Sequence, residues 1–126
     1  MIRGPSGSGK SALALQLIAL GAELVADDLT RLERAGGRLF ALAPPRLRGV
    51  IEARGVGLLR APLCPRAELV LLVELDRTEP DRLPQDRATR LLGLEVETIY
   101  RVEGAHFPAA IRQLVLFGRY AGDRHE

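Results

Sequence analysis

The stretch GPSGSGKS, Gly4 to Ser11, constrains the fold more than any other part of the chain. It fits the pattern Gly-x-x-x-x-Gly-Lys-Ser, a phosphate loop that connects a buried strand to a helix. Its glycines let the backbone wrap so that successive N–H groups point inward at phosphate oxygens. The following run, SALALQLIALG, places Leu13, Leu17 and Leu20 with Ala14 and Ile18 at helical spacing, and Gly21 fits the position just past a helix end. A helix that begins at Ser11 adds the positive end of its dipole. Gly4, Pro5, Ser6, Gly7, Ser8, Gly9, Lys10 and Ser11 are therefore the expected nucleotide-binding residues. Lys10 is the only lysine among 18 basic residues. Its compact ammonium on a flexible stem reaches β- and γ-phosphates, where an arginine fork is bulkier, planar and differently aimed. The Ser11 hydroxyl is expected on Mg²⁺. Only Met1 to Arg3 precede the loop, so the first strand is expected to be largely missing.

The 126 residues suit a single domain, read as residues 1–126 with a truncated N-terminal side. The chain is 47% apolar and 27% charged, enough for a real core, and with 4% aromatics and no Trp that core is aliphatic. A net charge of +2 gives no reason to expect a nucleic-acid partner. The arginine bias is chain-wide and reads as compositional. The single cysteine, Cys64, excludes an internal disulfide framework and a cysteine metal cluster, and reads as a structural thiol. No run approaches the roughly 18 apolar residues of a membrane span. No apolar signal segment opens the chain. A cytoplasmic protein with no membrane partner is expected.

Beyond the first helix, AELVADD reads as a short buried strand ending in two acids. LTRLERAGGRLFALAPP reads as a hairpin turning at Ala35-Gly36-Gly37, with its second strand from Arg38 to Ala43. Pro44-Pro45 stops that strand and can start a short helix. AELVLLVEL, Ala67 to Leu75, is a continuous apolar run, as expected of a strand covered on both faces. Asp76 to Asp86 reads as loop, and RLLGLEVETIYRVE as short extended pieces. PAAIRQLVLFGRY reads as a helix with Pro108 in its first turn, followed by a polar tail that frays after Gly118. The order strand, loop, helix, then strands is an α/β arrangement.

A nucleotide–Mg²⁺ site needs carboxylates near the γ-phosphate. Asp27 and Asp28 end an apolar run, which in an open α/β sheet aims them at the ligand crevice. One can hold metal while the other accepts a proton from an attacking hydroxyl. In IEARGVGLL, Glu52 and Arg54 are alternate residues of an extended segment, so both can face the site, and Gly55 and Gly57 permit close backbone approach. His106 reads as a helix-entry or surface histidine, and His125 lies in the tail.

Three segments together resemble the catalytic domain of HPr kinase/phosphorylase, most closely the short form of alphaproteobacteria. They are GPSGSGKSALALQLIALGAELVADD, LTRLERAGGRLFALAPP and APPRLRGVIEARGVGLL. They cover about the first half of the chain. The resemblance implies a P-loop kinase fold of the HPr kinase / PEP carboxykinase-like type, a mixed sheet with flanking helices. It implies ATP and Mg²⁺ as cofactors and serine phosphorylation of an HPr-like phosphocarrier protein of the phosphotransferase system. By the same resemblance Asp27 is the general base, Lys10 and the loop amides bind phosphates, Ser11, Asp28 and Glu52 hold Mg²⁺, and Arg54 stabilises the transferring phosphoryl group. The family tends to form oligomers, so the resemblance leaves a homo-oligomer open for this chain without implying its assembly. The family's C-terminal arginine-rich loop has no convincing counterpart here, so the resemblance carries the kinase reaction further than its phosphorylase reversal. A small-metabolite P-loop kinase and a non-catalytic nucleotide-binding regulatory module stay open beside it.

Overall fold

A computed structural model describes residues 1–120. The elements run β1 (Ile2–Arg3), α1 (Lys10–Ala19), β2 (Arg31–Ala35), β3 (Arg38–Leu42), β4 (Val50–Ala53), β5 (Gly57–Arg60), β6 (Arg66–Glu68), β7 (Leu72–Thr78), β8 (Ala88–Leu91), β9 (Leu94–Arg101) and α2 (Phe107–Phe117). Four strands make a sheet in the order β1-β7-β9-β8; β2-β3-β6 and β4-β5 make two smaller ones. β1, β7 and β9 are mutually parallel, and β8 turns back against β9. The sheet is therefore mixed, with helices against it, as expected for the fold class.

The lead-in to the glycine-rich loop is short but pairs properly. Ile2 and Arg3 sit opposite Val73 and Glu74, and the Arg3 Nε–Glu74 Oε2 bond of 2.8 Å ties the two strands at their side chains. Three parallel neighbours put their carboxyl ends at one edge, so the loop after β1 lies beside the ends of β7 and β9.

Alternation from Leu71 to Leu75, with Leu69 ahead of the crossing at Val70, feeds two cores. Leu71, Val73 and Leu75 face the helices, where they meet Leu13 and Leu17 of α1 and Phe107, Ile111 and Leu114 of α2. Those α2 positions are spaced four and three apart, the stripe of an amphipathic helix. Leu69 and Leu72 belong to the second core, with Leu39 of β3 and Val96 of β9. Leu72 is completely buried, and each such aliphatic side chain contributes about 1.5–3 kcal/mol.

Several sequence expectations are met. The first hairpin turns at Gly36-Gly37, with Ala35 opposite Arg38. Pro108 sits in the first turn of α2, and Gly118 follows its end. Cys64 is half-buried and its thiol donates to the Arg66 carbonyl at 3.3 Å. Others are corrected. AELVADD is not a strand: only Leu24 bridges, to Leu63, with backbone bonds from Leu24 N–H to the Pro62 carbonyl and from Cys64 N–H to the Leu24 carbonyl. Pro44-Pro45 start no helix; the chain turns through bends to Gly49. The run Ala67 to Leu75 is two strands, because β6 serves one sheet and β7 another, and Val70 between them is 56% exposed. β7 continues to Thr78, so the loop begins later than Asp76. The fraying tail and His125 fall mainly on residues 121–126, outside the described residues.

Candidate active site

The glycine-rich loop leaves β1 and becomes α1 without a side-chain cap. Gly9, at the N-cap, has φ +94°, a left-handed conformation that costs glycine nothing. No side chain caps the helix and no acid stands in its first turn. The orphan N–H groups of that turn and the positive end of the dipole are thus uncontested. Lys10 opens α1 and its Nζ donates to the Gly4 carbonyl at 2.7 Å, spanning the loop. Ser11 follows, half-buried.

The loop is packed tightly at its base. A Cβ on Gly4 would come within 2.7 Å of Ser8 Oγ and 3.1 Å of Leu75 Cβ. Ser8 Oγ is buried and has no hydrogen-bond partner among the described residues, a state that costs about 1–3 kcal/mol. The Ser8 carbonyl, by contrast, accepts from Arg101 Nη2, and the same nitrogen donates to the Leu75 carbonyl at 3.3 Å. Arg101 is absent from the sequence-based site. Its one signal there is an arginine closing the strand run LEVETIYR; the parallel pairing that brings it to the loop is not a local pattern.

The acid pair is fastened to the second motif. Asp27 Oδ2 accepts the Glu52 backbone N–H at 3.0 Å. This joins residues 25 apart in sequence and holds Asp27 against β4, the strand on which α1 also packs. Asp27, Asp28 and Glu52 are all exposed. Arg54 is not on the strand with Glu52: β4 ends at Ala53, and Arg54 opens the turn to β5, where it is exposed. The extended-strand argument for a shared face therefore does not apply to Arg54. Among the described residues no hydrogen bond or ion pair links Lys10 or Ser11 to Asp27, Asp28, Glu52 or Arg54. The structure joins Asp27 with Glu52, and it joins the loop with Arg101.

The oxygen donors suit magnesium. Among the described residues no group of three His, Cys, Asp or Glu side chains forms a protein-only cage. Mg²⁺ is commonly bound through one or two carboxylates plus substrate phosphates, keeping several waters. One hydroxyl, Ser11, and exposed carboxylates at Asp28 and Glu52 match that requirement in kind.

A separate cavity of about 160 Å³ lies between α2 and the end of β9, lined by Arg87, Tyr100, Val102, His106, Phe107 and Ile111 among others. No residue of the loop or acid pair lines it. His106 is exposed at the entry to α2, as expected of a helix-entry histidine. Among the described residues no helix is long and apolar enough to cross a membrane.

Known proteins resemble this chain in sequence and fold. Residues 1–102 match the family model for the HPr serine kinase C-terminal domain. An HPr kinase/phosphorylase of Aromatoleum aromaticum is 42% identical over 109 residues, covering 75% of this chain and 35% of that protein. One from Nitrosomonas europaea is 43% identical over 86 residues, covering 62% of this chain and 27% of that protein. The chain thus spans about a third of the length of the curated relatives it matches. Among solved structures, the HPr(Ser) kinase/phosphatase from Coxiella burnetii superposes with a TM-score of 0.74 at 27% identity, covering 90% of this chain and 83% of that one. With the family model matched from Met1 through Val102, the chain belongs to the HPr serine kinase C-terminal domain family.

Proposed function

We propose that this chain carries out ATP- and Mg²⁺-dependent phosphorylation of a serine on an HPr-like phosphocarrier protein, a regulatory step of the phosphotransferase system in the cytoplasm. The observation that carries the reading is the Asp27–Glu52 bond of 3.0 Å, which fastens the acid pair to the Glu-x-Arg-Gly-x-Gly hairpin. A glycine-rich loop alone speaks only for nucleotide binding; an exposed carboxylate fixed by a backbone N–H speaks for a proton acceptor. Its exposure suits a hydroxyl presented on the surface of another protein. No residue of the loop or acid pair lines the cavity beside α2, which counts against reading that cavity as an enclosed metabolite pocket at this site.

In this reading Lys10 and the amides at the start of α1 hold the phosphates, and Asp27 takes the proton from the attacking serine. Arg54, on the turn after β4, offsets charge on the phosphoryl group in transfer. When bound, Mg²⁺ held by Ser11, Asp28 and Glu52 would supply charge neutralisation between phosphate oxygens. Phosphoryl transfer depends mostly on positioning and charge neutralisation.

The test is transfer of labelled γ-phosphate from ATP to an HPr-like phosphocarrier. Label is expected on a serine of the carrier, and Asp27→Asn is expected to cut transfer by about 100-fold or more while ATP still binds. Undiminished transfer by Asp27→Asn would remove its role as base. Label appearing in a metabolite, or ATP bound but never transferred or hydrolysed, would replace the proposal with a metabolite kinase or a non-catalytic module.

A further inference from the structure

We infer that Arg101 is a positioning residue that holds the glycine-rich loop in its phosphate-receiving shape before any ligand arrives. Two observations meet at this side chain. Arg101 Nη2 donates both to the Ser8 carbonyl of the loop and to the Leu75 carbonyl of β7. The ladder between β7 and β9 is irregular at the same place: Glu74 pairs with Tyr100, but Thr78 pairs with Arg101. Leu75, Asp76 and Arg77 are therefore surplus on β7, and a bulge of this kind leaves backbone groups outside the ladder. Leu75 is the first of these surplus residues, and Arg101 uses its carbonyl as the fixed end of a bridge to the loop.

The consequence follows from peptide geometry. The Ser8 carbonyl and the Gly9 N–H belong to one planar trans unit and point in opposite directions. Holding the carbonyl on Arg101 keeps the Gly9 N–H turned away from Arg101. It also limits rotation at Gly9, the left-handed residue where the loop becomes α1. The neighbouring Ser8 hydroxyl makes no bond among the described residues, so its side chain adds no anchor there. A donor ordered in advance need not be ordered on binding, which favours affinity.

The functional arm of this inference rests on the proposed nucleotide site; the structural arm does not. Amide exchange is measured first on the protein without nucleotide. Arg101→Met keeps most of the stem but no donor, and is expected to speed exchange by about 10-fold at Ser8 and Leu13, whose N–H groups bond the Pro5 and Gly9 carbonyls, with β8 and α2 unchanged. Arg101→Lys, which can donate to two carbonyls from one nitrogen, is expected to restore most of the protection. Equal loss in the Lys and Met variants would assign the effect to guanidinium packing and overturn the inference. Unchanged exchange at Ser8 and Leu13 in Arg101→Met would overturn it directly. Should the Met variant not fold, the wild-type Arg101 Nη protons decide. Hindered, protected resonances support the bridge, and averaging like that of a free arginine overturns it.

With ATP and Mg²⁺ added, Arg101→Met is expected to raise Kd about 10-fold, with Arg101→Lys recovering most of it. If the wild type binds and the Met variant binds equally well, the positioning role is overturned. If the loop loosens in Arg101→Met yet the wild type binds no ATP, the nucleotide reading fails and the bridge stands.

Discussion

Lys10 and Gly4 form a pair in which each residue is fixed by a different constraint. The Lys10 ammonium rests on the Gly4 carbonyl at 2.7 Å, and a phosphate oxygen is the natural competitor for that donor. Lys10→Arg keeps the charge but replaces a point cation by a planar fork. It is expected to lower kcat/KM for ATP in the transfer assay by about 100-fold, with an unchanged Tm. Wild-type activity in Lys10→Arg would show that charge alone suffices. At Gly4 the constraint is space: an added Cβ meets Ser8 Oγ and Leu75 Cβ. Gly4→Ala is expected to cost about 1–3 kcal/mol, read as a lower urea midpoint. Lys10, Asp27 and Glu52 were legible as candidates because each stands in a short pattern with its own chemistry. Arg101 was not, since its partner Ser8 is 93 positions away and the link depends on strand order. Arg54 was half legible: its residue type fits the chemistry, while the turn that carries it ends the strand one residue earlier than alternation required.

Turns and loops show where local sequence was a weaker guide. The β8–β9 hairpin turns on Leu92-Gly93, with φ +47° at Leu92 and +80° at Gly93. Such a two-residue turn prefers Asn-Gly, and an exposed leucine there carries a steric penalty of about 1–2 kcal/mol. Leu92→Asn is expected to stabilise by about 1 kcal/mol and raise Tm by about 4 °C, measured by thermal melting. The bond from Arg34 Nη1 to the Leu92 carbonyl uses only backbone on this side and survives the change. The segment between β7 and β8 is pinned by Arg87, whose Nε and Nη2 donate to the two Glu79 carboxylate oxygens at 3.1 and 3.0 Å. These bonds hold the Glu79 carboxyl below its usual value of 4.5. A depressed folded-state pKa gives stability that is complete above the unfolded value and is lost as pH falls through the folded one. Glu79→Gln is therefore expected to lower Tm at pH 7 and to flatten the acid side of the Tm–pH curve below about 4.5. An acid limb as steep as the wild type's would remove Glu79 from it. AELVADD misled because an apolar run ending in acids is the same whether it pairs along its length or, as here, through Leu24 alone.

The whole molecule turns on the stretch Leu69 to Leu75. It enters from the β2-β3-β6 sheet, crosses at the exposed Val70, and becomes an inner strand of the mixed sheet. An apolar run carries no mark of where one sheet hands over to another, so its division was not legible, although its central place was. The handover makes both cores share one segment: Leu71, Val73 and Leu75 serve the helix side, Leu69 and Leu72 the other. Neither layer can lose this segment and keep its core, so the two are expected to unfold as one unit. Leu72→Ala empties a site of 0% exposure and is expected to cost about 2–5 kcal/mol. The urea midpoint should fall with the slope m unchanged, because the same surface is still exposed in one step. Amides of β3 and α2, on opposite sides of β7, should lose protection by the same amount. If Leu72→Ala loosens β3 while α2 keeps its wild-type protection, the two layers are separate folding units and the shared segment does not couple them.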